Sequence, residues 1–159
     1  MWSWRRQGNG YNGAGSREER VKQREIRWRT KPPATDDELA ALAESTPVPL
    51  PVEYLRLLSE SSGGEGELGA EPGWFVLWPA ADVPESNRGC ELPSNLPGFF
   101  GFGTTGTGEL LAFDTRKGPP YPVVAIPAMP MEVDEALPVA PSFAAFLDLM
   151  GRTCSDDPD

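Results

Sequence analysis

The 159-residue chain contains no histidine and only two cysteines. Histidine is the most common general base and zinc ligand, and it usually activates serine or cysteine nucleophiles. Cys90 and Cys154 are far apart in the sequence and do not form a CxxC pair, so we expect free thiols rather than a disulfide. The composition therefore argues against an enzyme, and we expect no catalytic residue, no cofactor and no bound metal.

Long apolar runs are also missing. No stretch approaches the roughly 20 apolar residues that a membrane-spanning helix needs. The first six residues, Met-Trp-Ser-Trp-Arg-Arg, are followed by a polar stretch rich in Gly and Asn instead of the apolar core of a secretory signal. We therefore expect a cytoplasmic protein with no membrane partner.

Charge is distributed unevenly along the chain. Residues 1–31 contain nine Lys or Arg and three Glu, a net charge of +6, whereas residues 32–159 contain five basic and 21 acidic residues, a net charge of −16. The first segment is expected to be a basic, partly flexible arm, residues 32–151 a folded domain and residues 152–159 an acidic tail. Arg interleaved with Trp would suit nucleic acid, but the favoured interpretation of the arm is a solubilising tail or a start codon placed too far upstream. Because the acidic body would repel nucleic acid, we do not expect such a partner.

Local signals predict helices first, then strands, then a last helix. Thr35 and Glu38 form a capping box, Pro51 is placed at the first position of a second helix, and Ser142 caps a third. Between them we expect an acidic loop over residues 65–71, a central strand over residues 74–78, a turn or single helical turn over residues 81–88, a loop to residue 98, a hairpin, another strand over residues 122–127 and an irregular acidic segment over residues 128–140. This order predicts an α+β fold with a mostly antiparallel or mixed sheet of about 4–6 strands and helices packed mainly on one side.

The hairpin over residues 99–116 is the most distinctive motif. Gly103, Gly106 and Gly108 are expected to supply the positive φ angles of its turn. A phosphate loop would need Gly-Lys-Ser/Thr or a following helix, but Glu109 and a strand follow. A catalytic pair of Glu109 and Asp114 is not expected, since the two acids lie about 17 Å apart on an extended strand and point to opposite faces. Asp114 is instead expected to accept backbone hydrogen bonds in the next turn.

In order and spacing, the body resembles the SUKH superfamily, which joins fungal cell-wall-synthesis regulators to bacterial immunity proteins of polymorphic toxin systems. The segments that carry the resemblance are Leu-Pro-Val-Glu-Tyr-Leu-Arg-Leu-Leu at residues 50–58, Ser-Gly-Gly at 62–64, Trp-Pro at 78–79, Phe-Gly-Phe-Gly at 100–103, Glu-Leu-Leu-Ala-Phe-Asp at 109–114, Val-Val-Ala-Ile-Pro at 123–127 and Ser-Phe-Ala-Ala-Phe-Leu at 142–147.

The resemblance implies a non-catalytic domain that binds a protein partner in a cleft. We expect an immunity protein, monomeric or weakly dimeric, that neutralises a toxin, possibly a nuclease, by covering its active site. The alternatives are a regulatory scaffold of the fungal kind and, less favoured, a carboxylate-dependent hydrolase. Acidic loop positions and one tryptophan are the predicted partner-binding residues: Glu65, Glu67, Trp78, Asp82, Glu85 and Glu109.

Overall fold

The computed structural model describes residues 28–128 and 131–152 of the chain. Within these ranges the fold is α+β, as predicted, and it is built on one curled antiparallel sheet of seven strands whose spatial order follows the sequence, β1 to β7. The strands are β1 Arg29–Thr30, β2 Gly64–Glu67, β3 Trp74–Leu77, β4 Phe99–Thr104, β5 Glu109–Asp114, β6 Val123–Pro127 and β7 Leu137–Ala140. The helices are α1 Asp36–Glu44, α2 Val52–Leu58, α3 Val83–Cys90, α4 Leu92–Asn95 and α5 Phe143–Leu149, with short 3₁₀ turns at Ala80–Asp82 and Val133–Glu135.

The predicted helix starts are confirmed at Thr35 and Ser142. The Thr35 hydroxyl accepts a hydrogen bond from the Glu38 amide at 3.1 Å while the Glu38 carboxylate accepts one from the Thr35 amide at 3.0 Å. The Ser142 hydroxyl accepts from the Ala145 amide at 3.1 Å. Pro51 caps α2 from the position before its first residue. The Thr35 and Ser142 caps satisfy amide groups that have no partner inside the helix, whereas Pro51 makes no side-chain cap hydrogen bond.

Alternating side chains of the strands bury two separate cores. Leu111 and Phe113 of β5 face the larger cluster, which α1, α2 and α5 cover, whereas Leu110 and Ala112 face a smaller cluster beneath α4 and residues 131–136. Tyr54 lies at the centre of the larger core, with its ring 5.2–5.7 Å from the rings of three phenylalanines, Phe102, Phe113 and Phe143. Burial on both faces explains why the central strands are apolar throughout.

The prediction of an acidic loop over residues 65–71 is wrong at its start, because residues 64–67 form β2. The sequence does not show the apolar alternation of a strand here, because β2 reads Gly-Glu-Gly-Glu and has no apolar residue. Its glycines lie under the Trp28 ring: a Cβ atom on Gly66 would fall 2.3 Å from Trp28 Cβ. Trp28 in turn packs edge-on against Phe75, with 5.5 Å between ring centroids. A tertiary contact therefore supplies the apolar cover that the strand itself lacks.

Three further differences lie outside β2. Residues 81–88, predicted as a turn or a single helical turn, and residues 89–98, predicted as a loop, contain the eight-residue helix α3 and the four-residue helix α4. Residues 29–30 and 137–140 add the edge strands β1 and β7, which raise the strand count to seven against the predicted 4–6. Gly103 does not adopt a positive φ, unlike Gly106 and Gly108. It is needed because a Cβ there would fall 2.3 Å from the Val76 carbonyl oxygen of the neighbouring strand.

The α3 helix is tied to the sheet through one buried side chain. The Asn87 amide donates to the Gly101 carbonyl at 2.9 Å and its Oδ1 accepts from the Gly101 amide at 2.8 Å. Gly101 lies at the bulge of β4. Strand β3 pairs with β4 only at Gly103 and Thr104, so Gly101 has no partner residue in β3. Asn87 thus takes the place of a strand neighbour, which satisfies a backbone segment that would otherwise be buried without partners. None of the helices in the described ranges is long and apolar enough to cross a membrane.

Candidate functional site

Two hairpins and the segment after β6 meet at one end of the sheet, here called the turn end (residues 67–74, 104–109, 127–128 and 131–137). The β2–β3 hairpin reaches the β4–β5 turn through Trp74, whose indole lies against Gly106. That turn reaches the next segment through a 3.1 Å hydrogen bond from the Ala128 amide to the Gly108 carbonyl. The sequential order of strands makes this a continuous surface.

The turn end combines acidic side chains with exposed apolar ones. Four large apolar side chains are exposed in the described residues, and three of them are here: Trp74 at 38%, Val133 at 39% and Leu137 at 41%. Isolated exposed apolar residues are ordinary, but a group of them on one surface is typical of an interaction site. The carboxylates of the turn end are Glu67, Glu71, Glu109, Glu132, Asp134 and Glu135.

Glu109 is the most tightly held of these acids. One of its carboxylate oxygens accepts hydrogen bonds from the Thr107 hydroxyl at 2.7 Å and from the Thr105 hydroxyl. These bonds lower the pKa of Glu109 below its ordinary value, Thr105 having the larger effect, because they stabilise the ionised carboxylate. Thr105 is almost fully buried, so the network also fixes the conformation of the exposed β4–β5 turn. The turn end therefore presents a fixed negative charge on the β4–β5 turn, whose Gly106 lies against Trp74.

The structure brings some predicted site residues together and separates others. Glu67 and Glu109 lie at the turn end, and Glu65 lies two residues along β2 on the same face as Glu67. Asp82 and Glu85 follow the far end of β3, so the four-residue strand, about 13 Å long, separates them from the turn end.

Trp74 and Trp78, four residues apart, meet different surroundings. Trp78 packs against both core clusters and is partly buried, whereas Trp74 is exposed. The site prediction named Trp78 and left out Trp74. It also left out the acids and apolar residues of positions 131–137, although the charge run there was visible in the sequence.

Asp114 has a structural environment of its own at the opposite end of β5. Its two carboxylate oxygens accept from Arg116 Nε and Nη2, each at 2.9 Å, and one also accepts from the Arg116 amide at 3.1 Å. The predicted turn contact is thus confirmed, and the Arg116 side-chain hydrogen bonds lower the pKa of Asp114. Glu109 and Asp114 do not form a carboxylate pair. Among the residues that the structure describes, no group of three or more Cys, Asp and Glu is placed to hold a metal ion.

A cleft of about 220 Å³ lies away from the turn end, between the loop after α1, helix α3 and the start of β4. Arg88 is its one charged lining residue, among hydroxyl groups such as those of Thr46, Ser94 and Thr115. It differs in charge from the turn end and does not include Asp82 or Glu85. The acidic candidates therefore do not line this cleft.

Comparison with known proteins identifies the family of this chain. No curated protein matches the chain. A family model, described as the SMI1 / KNR4 family (SUKH-1), matches residues 33–149. The matched range runs from just before α1 to the last residue of α5, and so includes the whole turn end and all the buried residues of both core clusters except Met150. It covers well over half of the sequence, and the resemblance noted from its motifs is confirmed: the chain belongs to the SMI1/KNR4 family of the SUKH superfamily.

Proposed function

We propose that this protein is a cytoplasmic, non-catalytic binding domain that neutralises a toxin by covering its active site with the turn end. The observation that carries the proposal is that six carboxylates and three of the four exposed large apolar side chains of the described residues lie at one end of the sheet. Apolar anchors surrounded by charge are the usual anatomy of a protein-binding surface.

The charge of the body favours a basic partner. Residues 32–159 carry a net charge of −16. Among the described residues, the basic side chains next to the turn end are Arg152, close to Gly69, and Arg29, which lines a depression together with Glu67 and Trp74. Nuclease toxins bind a polyanion and therefore present a basic substrate channel. An acidic surface placed over such a channel would exclude the substrate, and the opposite charges would speed association.

Trp74 is the proposed anchor of this surface. An indole supplies a large contact area at a low entropic cost, and its N–H can donate to the partner. Its neighbour Gly106 belongs to the turn that the Glu109 network holds, so the anchor lies on a pre-organised support. A rigid anchor loses less conformational freedom on binding than a mobile one.

The test is binding to the toxin domain encoded beside this gene, with the association rate and affinity measured against salt. We expect Glu67→Lys/Glu109→Lys to slow association, and Trp74→Ala to weaken affinity by about 2 kcal/mol, roughly 30-fold, mainly through faster dissociation. Asp82→Lys/Glu85→Lys makes the same charge change at the other end of β3 and is the matched control. No binding to any neighbouring toxin domain at low salt would refute the proposal.

The same experiment also tests where the interface lies and whether the partner is a toxin. If the Asp82 and Glu85 pair reduces binding while the Glu67 and Glu109 pair does not, the interface lies near α3 and the turn end is excluded. If the protein binds a host regulator and no toxin gene is adjacent, the regulatory scaffold is supported instead.

A further inference from the structure

The described chain begins beside an open depression at the β1 edge of the sheet. Trp28 anchors this point, since its ring packs on Phe75 and covers the glycines of β2. Next to it lies a depression of about 430 Å³. Its lining combines two tryptophans, two carboxylates and one arginine: Trp28, Arg29, Glu65, Gly66, Glu67, Trp74 and Gly151.

The lining of this depression suits a guanidinium group. Arg29 Nη1 already lies 3.6 Å from Glu65 Oε2 across the β1–β2 pair, which shows the kind of contact the surface accepts. Glu67 is exposed on the same face of β2, and Trp74 stands opposite it in the β2–β3 register. A carboxylate beside a partly exposed indole offers an arginine both a charge-assisted hydrogen bond and a cation–π contact.

The chain supplies such a group itself. Residues 1–27 contain seven Lys or Arg and three Glu, a net charge of +4. Arg27 directly precedes Trp28, and Arg24 is four residues away, at most about 14 Å along an extended chain. Any group tethered this closely has a local concentration in the millimolar range, so even a weak contact is populated.

We propose that the basic segment of residues 1–27 docks in cis on this depression, with an arginine guanidinium between Trp74 and Glu67. The segment then covers one side of the turn end until a partner displaces it. The docking is a property of the isolated chain, so it stands or falls independently of the toxin-neutralising function. If both proposals hold, Arg24→Glu/Arg27→Glu raises partner affinity, because the competing segment is released.

The test compares amide NMR spectra of full-length, isotope-labelled chains in the absence of any partner. Arg24→Glu/Arg27→Glu is expected to shift the resonances of Glu65, Glu67 and the Trp74 indole. Raising salt from about 0.01 M to about 1 M, which shortens the Debye length from about 30 Å to about 3 Å, should shift the same resonances in the wild-type chain in the same direction.

A charge swap makes the test specific. Adding Glu65→Lys/Glu67→Lys to the arginine variant restores opposite charges, so the Trp74 indole resonance should return towards its wild-type position. The control, Glu44→Lys, changes an exposed acid at the end of α1 and should leave these resonances in place. Shifts confined to residues 24–31, a swap that restores nothing, or an equal effect of the control would each overturn the proposal. The dispersion of every spectrum reports whether the variant is folded.

Discussion

Replacing Tyr54 with phenylalanine should make this protein more stable. Tyr54 is fully buried at the centre of the larger core, and its hydroxyl has no hydrogen-bond partner among the described residues. A buried donor left unsatisfied costs about 1–3 kcal/mol of desolvation. The ring itself contributes packing against its three phenylalanine neighbours, and phenylalanine keeps that packing.

The gain is partly offset by the space that the oxygen leaves. A void of roughly 15 Å³ at about 24 cal/mol per Å³ costs about 0.4 kcal/mol. We therefore expect Tyr54→Phe to raise the free energy of unfolding by about 1 kcal/mol and Tm by about 2–4 °C. Urea denaturation with an unchanged m-value is the measurement.

The same substitution at Tyr121 is the matched control. Tyr121 is also buried, but its hydroxyl donates to the Pro49 carbonyl at 2.7 Å. Tyr121→Phe removes a made hydrogen bond, so it should destabilise the protein by about 1 kcal/mol. Opposite signs at the two tyrosines are the expected result. If Tyr54→Phe destabilises the protein as much as Tyr121→Phe does, its hydroxyl is satisfied and the reasoning is refuted.

Alkaline pH offers a second measurement on the same residue. Burial raises the pKa of Tyr54 well above its ordinary value of 10.0, so the folded protein keeps this hydroxyl protonated. Above pH 10 the unfolded chain releases that proton and the folded chain does not, so the stability falls as pH rises, by at most about 1.4 kcal/mol per pH unit. In Tyr54→Phe this contribution to the slope should be absent.

Three further predictions concern other parts of the fold. Asn87→Ala should destabilise the protein by about 2–4 kcal/mol in urea denaturation, because both backbone groups of Gly101 lose their partner. Gly66→Ala should cost about 1–3 kcal/mol in the same assay, since the new methyl group meets Trp28, and a neutral result would show that Trp28 can move aside. Wild-type stability should fall as pH drops below about 4.5, in part through the lowered folded pKa of Glu109, and Glu109→Gln should lose that part of the dependence because it cannot ionise, while the part due to Asp114 remains.

Several helices, strands and turns could be predicted because they depend on interactions between residues close in sequence. The capping box at Thr35, the cap at Ser142 and the glycine turn after β4 depend on neighbours within a few residues, and all are found as predicted. Strands β4, β5 and β6 were readable because burial on both faces leaves them apolar throughout. In each case the signal and the structure lie in the same short stretch of chain.

The missed elements depend on contacts distant in sequence. Strand β2 is covered by Trp28, which lies far before it in the chain, and α3 is fixed by a hydrogen bond from Asn87 to the strand that follows. The local residue pattern contains no information about contacts with residues so distant in the chain. Gly103 is a further example. The sequence predicts a glycine with a positive φ in the turn, whereas in the structure it is needed because β3 and β4 approach each other closely there.

The candidate surface shows this limit most clearly at its two tryptophans. Trp74 and Trp78 share a sheet face by alternation, but α4 and the residues around it cover only the far end of β3. Leu92 of α4 and Trp78 both lie against Gly101, whereas Trp74 lies against the bare turn at Gly106. The position of one short helix thus decides which indole packs in the core and which is free to meet a partner. Because that helix was not predicted, the sequence could place an aromatic anchor on β3 but could not choose between the two.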